Sequence, residues 1–123
     1  MFEKLELTRL AQSLAAHSGA RMAVIAQNVA NADTRGYKAK DLPAFAAVFA
    51  DSGGDMRATR AGHLTAASAA MMPAAETANG REAPNGNTVS LEGEMVKSVE
   101  ARQNHDMALA IYRATSDVIR ASL

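Results

Sequence analysis

The sequence carries an apolar stripe of helical period at each of its two ends, and this pairing constrains the fold more than any other feature. Leu7, Leu10, Leu14, Ser18, Met22, Ile25, Val29 and Ala32 follow one another at intervals of three and four, the spacing that collects residues on one face of an α-helix. Residues 3–32 are therefore expected to form one long helix. Its end is expected within Asn31-Ala-Asp-Thr-Arg-Gly-Tyr37, where Asn and Asp bond nearby backbone and Gly36 permits a positive φ that would turn the chain. At the other end, residues 88–123 are expected to form a second long helix. Thr88 or Ser90 can cap it, and Glu92 and Glu94 lie near its positive end. Val96, Val99, Gln103, Met107, Ala110, Ala114, Val118 and Ala121 advance along it in an eleven-residue pattern, widened by Ile111. Such spacing favours straight or slightly right-handed packing over a heptad seam.

The intervening sequence is weaker. Residues 33–50 form a turn followed by a short apolar element, in which Leu42, Phe45, Val48 and Phe49 suit a helical face and Pro43 limits the start. Residues 51–87 change to Gly, Ala, Thr, Ser and Met with Asn-Gly pairs. They bury too little large apolar surface to offset roughly 1–2 kcal/mol of backbone entropy per ordered residue, so a flexible middle is expected. A short hairpin at Asn79-Gly80 or Asn85-Gly86 is compatible with it, since Asn-Gly suits a type I′ turn. The fold class that follows is all-α. Long N-terminal and C-terminal helices pack together and with neighbouring subunits, joined by a weakly structured middle with at most a short hairpin, as one unit over residues 1–123.

Size and composition narrow the function. With 4% aromatic residues, no Trp and an apolar fraction rich in alanine, a thick core is excluded and close helix packing is favoured. Two helices leave more apolar width than one partner covers, so further partners are expected. Lys plus Arg and Asp plus Glu each total 13, which disfavours nucleic acid as a partner. The absence of Cys excludes disulfides, thiolate metal sites and Cys nucleophiles. His17, His63 and His105 are scattered, no H-x-x-x-H occurs, and no Gly-rich loop follows a strand pattern. No catalytic residue, metal or cofactor is therefore implied. Charged residues interrupt residues 1–22, so they lack the apolar core of a secretory signal, and no apolar run is long enough to span a bilayer.

Within Asn28-Val-Ala-Asn-Ala-Asp-Thr-Arg-Gly-Tyr-Lys38, residues Asn28, Asn31, Thr34, Gly36 and Tyr37 occupy the positions of an N-x-x-N-x-x-T-x-G-Y signature. This resembles the motif near the N-terminus of flagellar rod and hook axial proteins. Arg57-Ala-Thr-Arg-Ala-Gly-His-Leu64 and Asn85-Gly-Asn-Thr-Val-Ser-Leu-Glu-Gly-Glu-Met95 are similar to stretches of the proximal rod members, so the resemblance covers most of the chain except the Ala-rich part of the middle. It implies a structural axial subunit, exported without signal cleavage and placed in the periplasmic rod of the basal body. The implied partners are copies of itself and other rod proteins, membrane-ring or rod adaptor proteins, and the export gate during secretion. Met22, Ile25, Val29, Val96, Val99, Met107, Ile111 and Val118 are then the candidate interface residues beside the motif. Phe45-Ala-Ala-Val-Phe49 resembles the F-x-x-x-F pattern through which such subunits engage the gate, although two aromatics four apart are also ordinary neighbours on a helix. A helical secretion chaperone or adaptor shares the two amphipathic helices but does not require the motif.

Overall fold

The computed structural model describes residues 2–52 and 74–123. Helix α1 spans Phe2–Ala30, strand β1 Lys40–Asp41, helix α2 Phe45–Ser52, strand β2 Glu76–Thr77 and helix α3 Leu91–Ala121. The fold is mostly helical, with the two long terminal helices packed on one another. Their contacts run Asn28 to Glu94, Arg21 to Glu100 and Ala15 to His105, which makes the pair antiparallel. Helix α3 has 31 residues and is therefore about 46 Å long.

Local chemistry sets the ends of both helices. Ala32 lies past the end of α1, in a turn whose amides bond back to Gln27, Asn28 and Val29 carbonyls. Gly36 follows with φ +74°, the left-handed conformation expected from its position. Of the two candidate caps for α3, Ser90 is the one used: it is extended and its hydroxyl accepts the Gly93 amide. The Thr88 hydroxyl is engaged elsewhere and accepts the Ala39 amide at 2.8 Å.

The two apolar stripes behave differently. On α1 the stripe faces α3, with Ser18 and Ile25 buried and Leu10, Leu14 and Met22 half-buried. On α3 the buried residues are Glu94, Ala101, Ala108 and Thr115, a seven-residue interval, and the eleven-residue stripe lies roughly 140° around the helix from them. The eleven-residue pattern is therefore not the seam between the two helices. The reason is steric: Ala11, Ala101 and Ala108 have almost no exposed surface, and their small side chains let the backbones approach more closely than a stripe of Val and Met would.

Among the described residues from 74 to α3, regular structure is limited to β2. The β1 and β2 strands pair antiparallel, Lys40 with Thr77 and Asp41 with Glu76, so the ladder joins distant segments and is not a local hairpin. At Asn85-Gly86 the chain does reverse: the Gly86 amide donates to Ala83 O and the Ala83 amide to Asn87 O, both at 2.8 Å. The positive φ, +82°, falls on Gly86, and no non-Gly described residue has one. The turn is therefore a three-residue loop closed by a glycine bulge, not the type I′ turn, which needs positive φ at Asn85 as well. At Asn79-Gly80 the glycine serves a close approach instead, since a Cβ on Gly80 would meet the Thr88 carbonyl oxygen at 2.8 Å. Residues 76–90 are thus docked on β1 and the motif turn, an order not anticipated for the end of the middle segment. Most of that middle, including Arg57–Leu64, lies outside the described residues.

Candidate assembly interface

The motif residues form one hydrogen-bonded clasp where the C-terminus of α1 meets the N-terminus of α3. Asn28 is completely buried, and its amide makes all four bonds open to it. Its Nδ2 donates to Lys40 O at 2.7 Å and to Glu94 Oε2 at 3.1 Å. Its Oδ1 accepts the Lys40 amide at 3.0 Å and the Tyr37 hydroxyl at 3.2 Å. One side chain therefore ties together α1, Tyr37, β1 and α3. Asn31 closes the helix end locally: its Nδ2 donates to Gln27 O, and its Oδ1 accepts the Thr34 hydroxyl. Thr34 O in turn accepts the Tyr37 amide. Gly36 donates its amide to Asn85 O at 3.0 Å, and its Cα would lie 3.3 Å from a Cβ placed on Gly86. The missing side chain of Gly86 allows these two turns to touch.

Charged groups surround the clasp. Arg21 grips Asp41 with two bonds, Nε to Oδ1 at 3.1 Å and Nη2 to Oδ2 at 3.2 Å. Burial pushes the Asp41 carboxyl up, but the hydrogen bonds from Arg21 and the Leu42 amide, with the charges of Arg21 and Lys97, outweigh it and hold it below the usual carboxylate range. The Arg21 guanidinium is held above its ordinary value, chiefly by its hydrogen bond to Asp41 and against the cost of burial. Glu94, buried on the seam, accepts from Lys97 Nζ at 3.1 Å through Oε1 while Oε2 serves Asn28. No described buried side-chain polar atom is left without a partner, the condition under which a buried polar network is tolerated.

Sequence reasoning missed Asn87, Glu94, His17 and the Arg21–Asp41 pair as parts of this arrangement. Asn87 is buried and its Nδ2 lies within 2.9 Å of the carbonyls of Asn31, Ala32 and Thr34, so its two N–H groups are shared among three acceptors of the turn that follows α1. Nothing local signals this, because the acceptors are more than fifty residues away in sequence. His17 is also buried. Its Nε2 lies 2.7 Å from Pro43 O, and since a carbonyl only accepts, Nε2 carries the hydrogen. The ring packs edge-on against Phe45 at 5.6 Å, and Phe45 meets Phe49 at 5.8 Å. Phe45 is thus anchored on α1 while Phe49 stays exposed.

The apolar candidates divide between a groove beside the clasp and the outer face of α3. Met22, Ile25 and Val29 of α1 and Met95 and Val99 of α3 line one open groove of about 570 Å³ beside Glu94. Val96, Met107 and Val118 continue along the outer face of α3 as exposed residues, with Val99 itself 68% exposed. Ile111 is half-buried toward the seam and does not join them. The structure therefore gathers the motif residues at one end, brings three of the eight α1 stripe residues to the groove, and leaves the α3 stripe exposed among the described residues. No group of three His, Cys, Asp or Glu among the described residues is placed to hold a metal ion. No described helix is long and apolar enough to cross a membrane.

Residues 11–38 match the family model for flagella basal body rod proteins. The matched stretch runs from the inner face of α1 through the motif turn, and so includes Asn28, Asn31, Thr34, Gly36 and Tyr37. No curated protein matches the chain. The family match supports a structural rod role in the flagellar basal body over an enzymatic one.

Proposed function

We propose that the chain is a structural subunit of the proximal rod of the flagellar basal body, of the FlgB type, built into the axial shaft through the outer face of α3. The single observation that carries this reading is the position of that stripe: the chain packs its own helices through alanines and leaves Val96, Val99, Met107 and Val118 at least 49% exposed. Each such side chain contributes roughly 1.5–3 kcal/mol when fully buried, so a neighbouring helix laid along the stripe gains substantially. The groove of Met22, Ile25 and Val29 extends the same surface onto α1. The occupants are copies of the chain and other rod proteins, with adaptor proteins of the membrane ring at the rod base. In this reading the subunit is exported without signal cleavage and functions in the periplasm, where the shaft transmits torque and encloses part of the export channel. Phe49 is the exposed half of the F-x-x-x-F pair and the residue that meets the export gate, with Phe45 holding α2 against His17.

The test is a pair of charges on the outer face. Val99→Glu with Met107→Glu is expected to leave helix content at the parental level, to leave export intact, and to abolish retention of the subunit in isolated basal bodies. Parental retention would show that the outer stripe of α3 is not the assembly surface.

A further inference from the structure

The seam between α1 and α3 holds the two helices together but discriminates poorly among their possible alignments. Its α3 side presents Ala101 and Ala108 one heptad apart, and its α1 side presents Ala11 and Ser18 one heptad apart. Sliding α3 by seven residues so that Thr115 faces Ala11 puts Ala108 in the place of Ala101 and Thr115 in the place of Ala108, so small side chains still meet small ones. Such a shift, about 10 Å along the axis, keeps small side chains along this part of the seam.

The polar end is not neutral to the same shift. Asn28 reaches from α1 to Glu94 on α3, and Asn87, three residues ahead of the Ser90 cap, reaches back to the carbonyls of the turn that follows α1. Sliding by a heptad removes Glu94 from Asn28 and withdraws Asn87 from Asn31, Ala32 and Thr34. Buried polar groups would then lose their partners, which a low-dielectric site penalises.

We propose that this reciprocal pair of asparagines, with Glu94, sets the register of the two long helices, and that Asn87 is a positioning residue for α3. The role is specification of one alignment rather than net adhesion, the use for which buried polar contacts between helices are best attested. The alignment matters because it fixes where along the molecule the outer stripe of α3 begins relative to α1.

The natural chain has no Cys, so introduced pairs report the alignment cleanly by oxidation of the purified full chain. Cysteines at Ala11 and Ala108, which line one groove, report the observed register. Cysteines at Ala11 and Thr115 report the register shifted by one heptad, since a disulfide needs Cα atoms within about 7 Å. In the otherwise parental chain the first pair is expected to close and the second to remain open. In the background Asn28→Leu, Glu94→Leu, Asn87→Ala, the ratio of shifted to observed crosslink is expected to rise at least about tenfold with helix content retained, the change that one ordinary interaction commands. An unchanged ratio with retained helix content would overturn the proposal, because the seam would then specify the alignment alone. Equal closure of both pairs in the parent would overturn it as well. Where the triple background loses its helix signal, Asn87→Ala alone decides: the ratio is expected to rise severalfold, and a parental ratio sinks the inference.

Discussion

The two long helices carry stripes that look alike in sequence and point in opposite directions in the molecule. On α1, Ser18 and Ile25 of the stripe are buried against α3. On α3, the stripe from Val96 to Ala121 is exposed throughout, and the helix meets its partner through Ala101, Ala108 and Thr115. The difference teaches that an apolar stripe identifies a face that will be covered but not by what. Contact within one chain favours the residues that allow the closest approach, which here are alanines, whereas larger apolar side chains remain available for another surface. Periodicity and burial answer different questions.

This comparison predicts that substitutions on the two faces of α3 fail in different ways. The largest effect belongs to the seam. Ala108 is fully buried, so Ala108→Leu forces the helices apart and is expected to destabilise the chain by about 3 kcal/mol, the upper end for overpacking. Denaturant unfolding measures it. A stability equal to that of the parent would place the tight contact elsewhere and erase the contrast with the outer face, where Val99→Glu with Met107→Glu is expected to leave the fold intact.

A smaller effect is expected at the turn that links α1 to the rest. Gly36 holds φ at +74° with no atom close to the position of a Cβ, so the cost of a side chain there is backbone strain rather than collision. Gly36→Val is expected to cost about 1–3 kcal/mol, to leave both helices formed, and to lower incorporation into the rod while export persists. Comparing exported subunit with subunit retained in basal bodies is the measurement. Equal retention would show that the left-handed turn is dispensable, and loss of export would move its role to secretion.

The smallest effect concerns acid. The folded Asp41 carboxyl titrates below the unfolded value, about 3.9, because Arg21 and the Leu42 amide favour its charged form. Its contribution to stability is therefore complete above about pH 4 and is lost as pH falls through the folded value. The parent is expected to lose stability below pH 4 more steeply than Asp41→Asn, as followed by circular dichroism. Parallel acid curves would remove Asp41 from the forces that hold β1 against the two helices.

The sequence by itself determined the elements. The stripe and turn chemistry put the first helix at residues 3–32 against an observed Phe2–Ala30, Ser90 was one of two caps foreseen for the last helix, and Gly36 adopts the positive φ its setting demands. These properties are local, since a helical face repeats every few residues and a cap acts within one turn. Only the tertiary structure decided that the α3 stripe faces outward, that Thr88 bonds Ala39 and leaves the cap to Ser90, and that Asn28 is a buried hub. Asn87 is the sharpest case, an asparagine beside one turn whose side chain bonds the carbonyls of another that precedes it by more than fifty residues. Such pairings depend on which distant groups the antiparallel helices bring within 3 Å of one another. No periodicity along the chain encodes that distance.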